Sequence, residues 1–182
     1  AHAREIPDAT LRSQLEGEVA AGIGEMLLET DPRAAEEYLS EALRAREQTG
    51  FLLLAPRLYR QRAQAHGRIG DSKAQGADLA KALKMVERRR TDPLPGREDF
   101  RISYWETVQG LVDDMIHFQA VTRRDAQQAW EYGEQARGRA LMDRLSADLR
   151  GSADASFLEE GYPEESRVKK IQKRLPADAV LL

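Results

Sequence analysis

An all-α protein is the fold class this sequence predicts, and three observations predict it. Ala, Leu, Glu, Arg and Gln abound, whereas Val, Ile and Thr are few and aromatics make up only 6% of the chain, so there is little material for sheets. Apolar residues recur every three or four positions along most of the length, the period of a helix with one buried face. Gly and Pro fall where that pattern breaks, cutting it into helix-sized pieces that pair into about three helical hairpins.

Composition also excludes whole classes of function. At 182 residues, 41% hydrophobic and 32% charged, the chain has the make-up of a soluble globular protein with one core or two small ones. It holds no apolar run near the ~20 residues of a membrane span and opens with no leader-like charged and apolar stretch, so a cytoplasmic location is expected. With no cysteine, disulfides, thiolate metal sites and a thiol nucleophile are impossible in this chain. A net charge of −3 disfavours a dedicated nucleic-acid binder, whose domain is usually strongly basic.

The elements follow in order. Asp8 can cap a helix carrying Leu11, Leu15, Val19, Ile23 and Met26 as one stripe and ending near Thr30. Asp31 and Pro32 read as N-cap and first helical residue of the next, in which Ala35, Tyr38, Leu39, Ala42 and Leu43 keep the period up to a terminating Gly50. A second pair places Leu58, Tyr59, Ala63, His66 and Ile69 on one helix and Ala74, Leu79, Ala82, Leu83 and Val86 on the other, with Gly70 and Asp71 at the turn. Thr91 to Gly96 contains two prolines and a glycine and reads as a loop. A long helix from about Asp99 to Phe118, striped by Ile102, Trp105, Val108, Val112 and Met115, then pairs with one that starts near Asp125 and carries Ala129, Gly133, Ala136, Ala140, Leu141, Leu145 and Leu149.

Shifting the chain by 40 residues superposes Asp31 on Asp71, Ala34 on Ala74, Leu39 on Leu79, Ala42 on Ala82 and Leu43 on Leu83. This is an internal repeat, and the Asp shared at the turn carries it further than matches among abundant Ala and Leu do. Unrelated helical hairpins are the plainer alternative. In a repeat array, small Ala side chains let helices approach closely, and each pair buries its remaining face only against the next.

These residues resemble tetratricopeptide repeats. The third pair matches best, with Trp105, Val108 and Val112 on its first helix and Ala129 and Ala136 as small positions on its second. The second pair supplies Tyr59, Ala63, His66, Leu79 and Ala82, and the first Val19, Ile23, Met26, Ala35, Leu39 and Ala42. Gln109 and Gln75 stand where a small residue is usual, and Gly133 where a bulky one is. The segment from Ala129 to Leu145, with Glu134-Gln135-Ala136-Arg137-Gly138-Arg139-Ala140-Leu141 at its centre, resembles the last repeat helix before a CHAT domain, a caspase-like protease module of bacterial proteins. The resemblance implies a repeat domain over 1–150, a linker over 151–163 that includes the Gly151 to Ser156 stretch, and over 164–182 a charged helix and the opening of an incomplete following domain. Val180 to Leu182 reads equally as that domain's first strand or as a frayed tail. The protease's own His and Cys would lie outside this chain.

No catalytic, metal or cofactor site emerges. His2, His66 and His117 have no ligand partner at metal-binding spacing, and no serine sits in a strand-turn-helix setting. Gly22 and Gly24 lack the rest of a phosphate loop and read as helix-packing glycines. Asp113-Asp114 and Glu159-Glu160 are helix neighbours that point about 100° apart and cannot share a proton. Arg88 to Arg90 fall at a helix end, where cations meet exposed carbonyls; an anion or nucleic-acid contact is the alternative.

The resemblance implies a concave groove lined by the first helix of each pair, which binds an extended peptide or a partner helix. In the second pair the matching residues are Arg57, Arg60, Gln64 and Arg68, at i, i+3, i+7 and i+11 on one side of a helix. In the third they are Ser103, Glu106, Gly110, Asp113 and Asp114. A basic strip would face an acidic one, either to recognise a charged partner segment or as two solvated faces that screen each other. The expected function is a non-catalytic protein-interaction and regulatory module, without cofactors, that controls an adjacent caspase-like protease domain. The peptide-sensing region of a transcriptional regulator is the alternative. A partner is expected to be protein or peptide, not membrane or nucleic acid.

Overall fold

The computed structural model describes residues 8–50, 52–88 and 98–149, with side chains described over 8–50, 52–88 and 107–138. These residues are helical almost throughout, as the composition requires. The helices are α1 (Ala9–Leu27), α2 (Pro32–Thr49), α3 (Ala55–Ile69), α4 (Ser72–Arg88), α5 (Glu98–His117) and α6 (Ala126–Leu149), with a π-helical turn, Phe118–Thr122, directly after α5. The expected loop at Thr91 to Gly96, the linker after Gly151, the charged helix and the terminal apolar residues lie outside the described residues.

Each start and stop has a local cause. Asp8 Oδ1 accepts from the amides of Thr10 at 2.8 Å and Leu11 at 3.3 Å, satisfying donors that the first turn of α1 leaves open. Asp31 caps α2 through Ala34 N at 3.1 Å, and Asp71 does the same for α4 through Ala74 N at 2.9 Å. Asp125 caps α6 through Gln128 N at 2.9 Å. α2 and α3 stop at Gly50 and Gly70, whose φ of 70° and 82° is left-handed backbone that glycine enters without a Cβ penalty.

The chain divides into two compact units, one ending at Met115 and one beginning at Ile116. In the first, α1 packs on α2, α2 on α3 and α3 on α4. The 40-residue repeat is a structural one at its key positions: Asp31 and Asp71 cap alike, Leu39 and Leu79 are 0% and 1% exposed, and Ala42 and Ala82 are fully buried. Leu58, Tyr59, Ala63, Leu111 and Met115 are also buried. The second unit joins the π-helical turn to α6, with Phe118 and Ala129 buried.

One expected face is reversed. Leu11, Leu15, Val19 and Met26 are exposed, whereas α1 buries Gly17, Ala20 and Gly24. A Cβ at Gly17 would come within 2.7 Å of Ala45 Cβ, and one at Gly24 within 2.7 Å of Leu39 Cγ. Close approach of two backbones therefore outweighed the burial of the larger stripe. Of the two glycines read as packing residues, Gly24 is one; Gly22 is exposed, with open space around its Cα.

Candidate functional site

The site is built on α3. Its four strip residues project from one side of the helix, and the structure gives each a partner. Arg57, half exposed, donates through Nη2 to both carboxylate oxygens of Glu25 on α1, at 2.6 and 2.9 Å. Arg60 Nε lies 2.8 Å from Asp114 Oδ2 on α5, and Gln64 Nε2 donates to that same oxygen at 3.0 Å. Arg68 pairs with Glu29 and donates to the Leu28 carbonyl at 3.1 Å, at the C-terminal end of α1.

Arg57, Arg60 and Gln64 line one cavity of about 360 Å³ with Gln61, Glu25, Leu28 and Thr107. Of the acidic strip, Asp114 joins the basic one directly. Asp113, one position earlier, is exposed, and the side chain of Glu106 lies outside the described residues, as do those of Ser103 and Trp105. Arg68 sits beyond the cavity wall, at the α1 terminus.

Gly110 leaves room for the Arg60 head group over α5. A Cβ there would lie 2.3 to 2.5 Å from the three terminal guanidinium atoms of Arg60, so a missing side chain on α5 is what lets Arg60 lie across it. The small residue beside Arg60 is Gly110; Gln109, where the repeat pattern expects one, is exposed.

A second polar cluster, absent from the sequence reading, occupies the seam of α2, α3 and α4. Arg62 holds Asp78 with two bonds, Nε to Oδ2 at 2.8 Å and Nη2 to Oδ1 at 2.7 Å, and also donates to Ser40 Oγ at 2.9 Å. His66 Nε2 stands 3.6 Å from Asp78 Oδ2. Beside them the Tyr59 hydroxyl donates to Glu47 at 2.9 Å, and Lys81 reaches Glu47 at 3.2 Å while lying 4.5 Å over the Tyr59 ring. The Tyr59 hydrogen bond, then Lys81, hold the Glu47 carboxyl below its ordinary value, whereas burial raises the Tyr59 phenol. Asp78 bonding raises the Arg62 guanidinium. On the α1 to α2 side the buried Arg46 pairs with Glu18. Only the spacing of buried-face charges, Arg46, Arg62 and Asp78, could have flagged these pairs in the sequence.

Chemically this is a cavity with a polar lining beside a set of interhelical ion pairs. Among the described residues, no three His, Asp or Glu side chains gather as a metal site would require, and no helix is long and apolar enough to cross a membrane. Fold and cavity together define an all-helical protein whose first four helices form two repeated hairpins. No family model, curated protein or solved structure matches the chain.

Proposed function

We propose that the protein is a non-catalytic protein- or peptide-interaction module, and that the cavity on α3 seats the partner segment. The observation that carries this reading is the convergence of Arg57, Arg60 and Gln64, three residues spaced along one helix side, on a single cavity closed by α1 and α5. Polar groups held in place by fixed partners suit binding, because little side-chain freedom is lost when a guest arrives. The resemblance of the Ala129 to Leu145 segment extends the proposal to regulation of a neighbouring caspase-like protease domain. In that role, a seated partner would bias how the repeat region presents that domain.

Cavity filling tests the module directly. Gln64→Trp and Thr107→Trp are expected to abolish retention of any partner that the wild-type chain captures and that is identified by mass spectrometry, with helix content unchanged by circular dichroism. A captured partner held equally well by both filled variants refutes the groove.

A further inference from the structure

Gln61 lines the cavity with a carboxamide that none of the ion pairs around it uses. It lies on α3 between Arg60 and Gln64, is 8% exposed and lines the cavity. Its carboxamide makes no hydrogen bond to any described residue, and neither of its polar atoms is sealed from the cavity space. It is covered on most sides and open to the cavity, so a group entering there can hydrogen-bond it in place of water. It offers two N–H donors and one carbonyl acceptor.

Among the described residues the charges lining the cavity cancel. Glu25 compensates Arg57, and Asp114 compensates Arg60. An acidic guest would set its charge beside the carboxylates already held there, Glu25 and the largely covered Asp114, and so meets no net positive field. A basic guest would meet the same difficulty with the arginines. What such a charge-balanced lining favours is a guest that is uncharged and complementary to a carboxamide.

Resting on the groove reading above, we infer that this cavity is a subsite for an uncharged stretch of extended polypeptide, one of whose main-chain peptide groups is hydrogen-bonded by the Gln61 carboxamide. A peptide group presents an N–H and a C=O, the complement of the amide's acceptor and donor. A volume of about 360 Å³ is at the small end of ligand sites, enough for a short run of residues. Because no net charge is exchanged, binding is insensitive to ionic strength.

The test selects a phage-displayed random decapeptide library on the full 182-residue chain and measures the enriched peptides, synthesised with a fluorophore, by anisotropy. Neutral peptides are expected, with Kd unchanged within twofold between low salt and 0.5 M NaCl. Gln61→Leu, which keeps the volume and removes the amide, is expected to weaken them roughly five- to tenfold. Gln61→Asn serves as the second variant, with circular dichroism checking that both fold, and it is expected to bind at an intermediate level. N-methylation of one peptide nitrogen should cost a similar factor in wild type and little in Gln61→Leu. Enriched peptides that are acidic, salt-sensitive and indifferent to Gln61→Leu overturn this inference while leaving the groove reading standing. A loss that follows an Asn or Gln side chain of the peptide overturns the main-chain assignment. No enrichment over an unrelated helical protein overturns the inference and the groove reading together.

Discussion

Arg60 and Asp114 tie α3 to α5 across 54 residues of chain, with Nε 2.8 Å from Oδ2 and both side chains about 70% covered. Gln64 shares the same carboxylate oxygen at 3.0 Å, and the absent side chain of Gly110 makes the room. Asp114→Asn is therefore expected to lower stability by about 1–3 kcal/mol, between the range of an exposed pair and that of a fully buried one. A double-mutant cycle with Arg60→Gln in urea denaturation reads the coupling, and additivity within error would show that the pair contributes nothing.

The two glycines on α1 separate local from tertiary demands. Gly22→Ala meets open space and gains helix propensity, so it is expected to stabilise by about 0.5–1 kcal/mol. Gly24→Ala puts a Cβ 2.7 Å from Leu39 Cγ and 3.3 Å from the Ala35 carbonyl, and is expected to destabilise by about 1–3 kcal/mol. Urea midpoints that shift in the same direction for both variants would contradict the α1 to α2 packing.

Asp78 is 6% exposed and doubly bonded by Arg62. Asp78→Ala leaves a guanidinium largely covered without its counter-charge, and the expected cost is about 3–5 kcal/mol. Replacing both partners with apolar residues should cost markedly less. Chemical denaturation of the single and double variants decides it, and a double variant worse than Asp78→Ala would refute this account of the seam.

Glu47 links stability to pH. Its folded carboxyl titrates below the ordinary 4.5, chiefly through the Tyr59 hydrogen bond and then Lys81. A depressed folded pKa stabilises above the unfolded value, and that contribution is lost as pH falls through the folded value. The side chain is 53% exposed, so solvent screening limits the effect: Glu47→Gln is expected to lose less than about 1 kcal/mol at pH 7. The difference from wild type should shrink to nothing in acid below the folded pKa, and thermal melts at pH 7, 5 and 3 measure it. A gap that widens toward pH 3 would reverse the sign.

The repeat makes its own prediction. Leu39 and Leu79 occupy equivalent buried positions 40 residues apart, so Leu39→Ala and Leu79→Ala should each cost about 2–5 kcal/mol. Calorimetric losses that differ by more than about twofold would mean that the two hairpins are not equivalent packing units.

Helix type and boundaries were legible from residues acting within a few positions of themselves. Asp8 and Asp31 cap where the sequence places caps and Gly50 stops α2 where left-handed backbone is needed, while Gly70 and Asp71, read only as a turn, do the same work there as stop and cap. The side of α3 that carries Arg57, Arg60 and Gln64 was legible too, because helical spacing alone puts them together. The burial of α1 was not. Hydrophobic period selects Leu11, Leu15, Val19, Ile23 and Met26, of which Ile23 alone is half-buried, yet the face that packs is Gly17, Ala20 and Gly24, since close helix approach is a property of two surfaces and a sequence shows one at a time. For the same reason Asp114 as partner to Arg60, Gly110 as the gap it needs, and Asp78 as counter-charge to Arg62 were decided only when distant helices met. Short-range chain geometry set the helices; the pairing of charges and the vacant amide of Gln61 belong to the tertiary structure, where contacts are chosen across dozens of residues.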